Sequence, residues 1–376
     1  MTAKLVWIPC LVACSAPATA APAPPTEIPL VASRWHATDK IRFEDWHGVP
    51  SVWIDRGIAL ADGVDLRNGT IDADIYLDET SLNVGLAFRA RDRNAYEVVF
   101  VRARASGSPH ALQYGPGLNS LGAAWQLYHD EAGEAGATFT RDTWIHLSVV
   151  IKGDTASLFL DHATKPALVV PHLGLGADGG GAIGLWTGAF ASSAHFAHLR
   201  YTPDPTKYPV VATPLPKGTI VDWDLSQAID AATQTPDKLP ALASLTWQKV
   251  KAETPGWVLI SRYRVAPGIA PPPDLDAIMS GRVAGSKVAY ARTTIDVAAA
   301  GYRRMHIGFS DGIVVFCNGA PLYFGERAMG VQGLGEFQPL GDAVYLPLKA
   351  GKNEIVVAVT EFFGGWAFSA RLDPPG

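Results

Sequence analysis

Cysteine is scarce in this 376-residue chain, with three in all, at positions 10, 14 and 317. Cys10 falls in an apolar leader and Cys14 at its end, so an exported chain keeps Cys317 alone and has no internal disulfide to rely on. Cys317 sits in the strand-like run "IVVFCNG", where a small buried hydrophobe is expected rather than a reactive thiol. Charge is also sparse. Only 18% of residues are Asp, Glu, Lys or Arg, the formal net charge is −5, and no long basic run occurs. That balance argues against nucleic acid or an anionic membrane surface as partner. Helical periodicity is almost missing, and the one weak candidate is "LSQAIDAATQ", residues 225 to 234. No H-E-x-x-H, C-x-x-C or EF-hand loop is present. No metal ligand or cofactor is therefore assigned. A structural Ca2+ held by loop carbonyls and one Asp leaves little sequence trace and stays open.

The apolar run Leu5–Ala13, preceded by Lys4, is too short to span a bilayer and reads as the core of a signal peptide over residues 1–20. Two processing routes compete. Leu11-Val12-Ala13-Cys14 resembles a bacterial lipobox, with Cys14 lipidated. Ala18-Thr19-Ala20 is an A-x-A cleavage site. Either route exports the protein, as a periplasmic or outer-membrane lipoprotein or as a secreted chain. Contact with a membrane is expected only through the lipid. Residues 21–32 read as a tether.

The rest of the chain is β-patterned. "GTIDADIYLD" places Ile71, Ala73, Ile75 and Leu77 on one face and Asp72, Asp74 and Tyr76 on the other, the period of a half-buried strand. Similar runs continue to Tyr201. A segment with five prolines, "YTPDPTKYPVVATPLPKG", separates them from a second series punctuated by Asn318-Gly319 and Gly351-Lys352-Asn353 turns. The expected fold is all-β. Two β-sandwich (jelly-roll) domains, 33–202 and 219–376, are joined by a Pro-rich linker over 203–218.

Several short motifs fail on context. "GFSDG", residues 308–312, has the spacing of a hydrolase nucleophile elbow, but Ile313-Val314-Val315-Phe316 continue as a strand where the elbow needs a helix. Ser310 is expected in a hairpin turn, with Gly312 taking the unusual backbone angle. "GLGADG", residues 174–179, fits G-x-G-x-x-G but precedes a strand, so no helix N-terminus faces a pyrophosphate. His195 and His198, three apart on one strand, are expected to face opposite sides. Asp72 and Asp74 share a strand face. The Glu-x-Asp-x-x-Glu array of β-sandwich glucanases is not reproduced there, so they read as ligand-binding or solvated side chains.

Longer stretches carry a resemblance. "VGLAFRARDRNAYEVVFVRA", "TWIHLSVVIKGDTASLFLD" and "GGGAIGLWTG" together resemble laminin-G/concanavalin-like jelly rolls of the 3-keto-glycoside hydrolase-like type, over about residues 38–202. The resemblance implies a concave sheet that meets sugars. It also implies Arg89 and Glu97 as a catalytic pair, and Tyr114, Trp125, Gln126 and Tyr128 as a sugar-contacting set. "GFSDGIVVFCNGAPLYFG" and "LKAGKNEIVVAVTEFFGGW" are similar to galactose-binding-like jelly rolls, over about 219–373. That second resemblance implies a turn at Ser310–Gly312, a core Trp366 beside Phe362 or Phe363, and loop residues Asp311, Asn318 and Arg327 near any ligand. Three functions follow from these resemblances. The first is an exported carbohydrate-binding protein of the bacterial cell envelope. The second is a glycoside hydrolase using Glu97 and Arg89. The third is an envelope scaffold that binds protein partners.

Overall fold

The computed structural model describes residues 24–37, 40–119, 122–130, 132–177, 179–188, 192–210, 212–265, 286–327, 335–361 and 364–374. The leader with Cys14, and Phe362 and Phe363, lie outside the described residues. Among the described residues there is no α-helix, only short 3-10 turns between strands, and no helix long and apolar enough to cross a membrane.

The first half contains β1 (Thr26–Glu27), β2 (Trp35–Ala37), β3 (Lys40–Trp46), β4 (Val49–Asp55) and β5 (Gly57–Ala61). Next come β6 (Gly69–Leu77), β7 (Val84–Asp92), β8 (Ala95–Val101), β9 (Leu112–Pro116) and β10 (Glu134–Ala135). It ends with β11 (Thr143–Lys152), β12 (Thr155–Leu160), β13 (Leu168–Val170), β14 (Ala182–Thr187) and β15 (Ser193–Pro203). These form two sheets. One runs β13-β12-β11-β6-β15-β4-β3, with β1 added beside β15, and the other runs β10-β9-β8-β7-β14-β5-β2. The period-two pattern explains the packing. On β6, Ile71, Ala73 and Ile75 have no exposed surface and meet Leu86, Phe88 and Val99 of the facing sheet in one core. Each such fully buried large side chain contributes roughly 1.5–3 kcal/mol.

The second half contains β16 (Asp222–Ser226), β17 (Ile229–Asp230), β18 (Trp247–Lys251), β19 (Trp257–Leu259), β20 (Lys287–Val297) and β21 (Gly301–Phe309). It continues with β22 (Gly312–Cys317), β23 (Ala320–Glu326), β24 (Asp342–Leu348), β25 (Gly351–Glu361) and β26 (Ala367–Leu372). A sheet of order β18-β16-β20-β25-β22-β23, with β17 on β20, packs on a four-stranded sheet β19-β26-β21-β24. Trp366, Phe309, Phe368 and Trp223 fill the core between them. The Asn318-Gly319 pair, both with positive φ, makes the two-residue turn from β22 to β23. Both halves are thus β-sandwiches.

The structure corrects four local expectations. The helix candidate at 225–234 is the end of β16, then β17 and a single 3-10 turn at Ala231–Thr233. Its apolar residues pair with β18 and β20, and tertiary pairing overrides a weak periodicity. The tether at 21–32 is docked from Thr26 onward, since β1 pairs with Tyr201 and Arg200 and Ile28 is buried. "GFSDG" joins strands of different sheets and is not a hairpin. The positive φ, +62°, falls on Asp311, and Ser310 is fully buried. The fourth is the pair His195 and His198, which a break in the β15 register between Ala197 and Arg200 brings to one side of the strand.

The sandwiches share an apolar joint. Leu118, Ala124 and Leu127 of the first pack with Trp257, Leu259, Phe337 and Ala367 of the second. Backbone bonds cross it from Gln126 N to Gly364 O (3.1 Å) and from Phe337 N to Gln126 O (2.9 Å). Gly364 is required there, because a β-carbon would come within 2.2 Å of Gln126 Oε1 and its φ is +89°. Trp257→Ala is expected to cost about 3–5 kcal/mol in urea unfolding and to split one transition into two. A single transition with a loss below about 1 kcal/mol would show that the joint does not couple the halves.

Candidate functional site

Arg89 and Glu97 come from neighbouring strands but serve the interior. Glu97 has no exposed surface, and its carboxyl accepts from Tyr114 Oη–H (2.7 Å) and Leu175 N–H (2.7 Å). Arg89 is 2% exposed and lies at a bulge where the β7–β8 register breaks, with φ +48°. Its guanidinium donates to the carbonyls of Arg67 (2.8 Å), Gly176 (2.7 Å) and Gly153, and to Asn68 Oδ1. Those donors hold carbonyls, not Glu97. Both residues therefore fasten the loop that carries "GLGADG", whose backbone would otherwise enter the core unbonded. Burial is the main cause raising the Glu97 carboxyl above its ordinary range, against the Tyr114 and Leu175 bonds and the charges of Arg89 and Arg262, which lower it.

The expected sugar-contacting set belongs to the same region. Tyr114 and Gln126 have no exposed surface. Tyr114 meets Tyr128 edge-on at 5.1 Å, and Tyr128 meets Trp257 of the second sandwich at 5.7 Å. Trp125 is half-buried, with the Arg102 guanidinium 5.2 Å from its ring. Tyr114 is a core side chain of the first sandwich and offers no face to a sugar, and half-buried Tyr128 has one side against Trp257.

Asp72 and Asp74 are placed differently, on the outward face of the eight-stranded sheet. Register brings Arg42, Trp53, His195, Tyr76 and Trp144 into one rung across β3, β4, β15, β6 and β11. Trp46 stacks on His195 at 4.0 Å, Tyr76 meets Trp144 edge-on at 5.4 Å, and exposed His47 stacks on Tyr76 at 5.0 Å. The neighbouring rung holds Asp74 and His146. Asp74 accepts from Nδ1 of His146 (2.6 Å) and Nδ1 of His198 (2.7 Å), and Asp72 lies 3.5 Å from both His146 Nε2 and Arg200 Nε.

His198 reaches this face because β15 bulges between Ala197 and Arg200, with His198 at φ +50°. His195 and His198 thus share a side, contrary to the alternation of a regular strand. Three polar atoms on the face have no hydrogen-bond partner: Trp46 Nε1, Trp144 Nε1 and His195 Nδ1. Burial holds the His195 imidazole below its ordinary pKa, although its bond to Glu44 (3.0 Å) opposes this. Among the described residues no three His, Cys, Asp or Glu side chains are placed to hold a metal ion.

Sequence reasoning reached Asp72, Asp74 and Tyr76 but missed Trp46, His47, Trp53, Trp144, His146, His195 and His198 as one group. Their strands are distant in sequence, so only the pairing unites them. The outward face of the other sheet is closed. Tyr96, Val98, Phe100 and Trp186 pack there with Ala123, and Trp186 Nε1 donates to Tyr96 Oη (3.0 Å). In the second sandwich, a cleft of about 730 Å3 is lined by Asp222, Asp224, Lys249, Lys251 and Arg292. Those five charges pair with one another at 2.7–3.5 Å, and Glu354 also lines the cleft.

Glu97→Gln tests the fastening role. A raised folded-state pKa makes wild-type stability fall as pH rises from the ordinary carboxylate range through the raised value. The Gln variant should lack that slope in thermal melts from about pH 4 to about pH 8. Parallel slopes for the two proteins would remove Glu97 as the titrating group.

No protein-family model matches the chain, and no curated protein matches it. Solved structures that align with part of it include the carbohydrate-binding module CBM66 from Bacillus subtilis, at 16% identity over 46% of this chain and 98% of that one, TM-score 0.33. A Bacillus licheniformis beta-glucanase aligns at 8% identity over 48% and 98%, TM-score 0.31. Galectin LEC-6 of Caenorhabditis elegans aligns at 16% identity over 42% and 96%, TM-score 0.24. At these values the likenesses assign neither ligand nor reaction to this chain.

Proposed function

We propose that this is an exported carbohydrate-binding protein that takes a glycan on the outward face of the eight-stranded sheet. The observation that carries the reading is the aromatic rung Trp53–His195–Tyr76–Trp144, whose two tryptophans are half-buried over a buried His195 and Tyr76, flanked by half-buried Trp46, exposed His47, and Asp72 and Asp74. Aromatic faces match the C–H surface of a sugar ring, and adjacent carboxylates and imidazoles bond its hydroxyls. Export through the leader, and lipidation at Cys14 or cleavage after Ala20, complete the proposal.

The binding reading is favoured over hydrolysis. Glycoside cleavage needs two carboxyl groups facing the bond, whereas both oxygens of Glu97 are taken by Tyr114 and Leu175 inside the fold. Titration calorimetry against soluble neutral polysaccharides such as arabinan, galactan, mannan and β-glucan tests the assignment. Trp144→Ala and Trp46→Ala should each weaken the bound polymer roughly two- to tenfold. Affinity unchanged in both variants, or no neutral polymer bound, would sink the proposed face.

A further inference from the structure

The second sandwich has an outward face that the glycan reading does not use. On the four-stranded sheet, Tyr302, Arg304 and His306 alternate outward along β21. Register sets Pro347 opposite Tyr302, and Tyr345 opposite Arg304. On the other flank, Arg371 of β26 lies opposite His306. Tyr302 is 76% exposed and Tyr345 63%, far beyond other tyrosines of the fold, and as diagonal neighbours they sit about 7–8 Å apart.

The charges there are unequal. Arg304 is neutralised by Asp373, Nε to Oδ2 at 2.7 Å, and His306 Nε2 lies 3.1 Å from the other oxygen of the same carboxylate. Arg371 has no hydrogen-bond or ion-pair partner among the described residues. One guanidinium is thus left in surplus beside two open rings. It stands two strand spacings, about 10 Å, from the strand that carries Tyr345, further than a single sugar ring extends.

We propose that this face binds an anionic polysaccharide, with Tyr302 and Tyr345 stacking on sugar rings and Arg371 pairing with a carboxylate of a linked residue. A planar guanidinium suits a carboxylate in two-point contact, and exposed tyrosines add stacking area at low entropic cost. The proposal stands on the second sandwich alone and does not depend on the neutral-glycan face.

The test uses the full chain and polygalacturonate, with its fully methyl-esterified form as the uncharged control, in affinity electrophoresis. Polygalacturonate should retard the protein, and the ester should do so markedly less. Tyr345→Ala and Tyr302→Ala should each weaken retardation about two- to tenfold, and Arg371→Gln about two- to fivefold. Raising salt from about 0.05 M to about 0.5 M should remove most of the charged contribution. Tyr302 and Tyr345 are exposed and Arg371 is half-buried without a side-chain partner among the described residues, so the tyrosine variants should keep the wild-type melting temperature and Arg371→Gln should stay within a few degrees of it. Retention on neutral polymers should persist in the Arg371 variant, which separates failure here from failure of the first face. Equal retardation by acid and ester overturns the proposal, as does retardation unaffected by all three variants, or none at all. Binding to phosphatidylglycerol vesicles without binding to the polyuronate overturns it too. So does a self-association that Tyr345→Ala abolishes.

Discussion

The obligation to bond every buried backbone group governs the middle of this protein. The glycine-rich loop between β13 and β14 runs against the core, and two charged side chains meet its demands. Arg89 collects the carbonyls of Gly176, Gly153 and Arg67, and Glu97 receives the N–H of Leu175. From the other sandwich, Arg262 donates to Gly174 O at 2.7 Å while pairing with Glu253 at 2.8 Å. One loop is therefore held from inside its own domain and from the neighbouring one. Removing Arg89 or Glu97 leaves the loop's backbone groups unbonded inside the fold, and an unsatisfied buried polar group is costly.

Much of the fold was legible in the sequence because strands announce themselves by alternation. Ile71, Ala73 and Ile75 point inward and Asp72, Asp74 and Tyr76 outward, as the spacing implied. Asn-Gly at 318–319 marked its turn for a steric reason, since both residues take positive φ. The site was less legible. A charge within an apolar run, such as Arg89 or Glu97, reads as chemistry when its partners are unknown, and those partners are backbone groups far along the chain. The aromatic rung needs the pairing of β3, β4, β15, β6 and β11, which no local pattern encodes. The bulge that turns His198 to the same side as His195 is a single extra residue and leaves no composition signal.

The two sheets of the first sandwich divide the work. Tyr96, Phe100 and Trp186 on the seven-stranded sheet are sealed by packing, while Trp46, Trp53 and Trp144 on the other stay half-open. The same residue type thus stabilises one face and equips the other for contact. Asp74 illustrates the balance, because two imidazoles fix both of its oxygens and keep the carboxylate in one orientation.

The apolar cluster around Trp257, Leu127 and Phe337 ties the halves to each other, and the proline-bearing stretch from Asp204 to Gly218 adds to it through Thr213, which bonds His172 of the first sandwich and accepts from Thr254 of the second. The halves are thus held by non-covalent contacts as well as by the chain between them. A protease cutting once within that stretch would yield two fragments that migrate as one particle until a denaturant pulls the indole from its pocket.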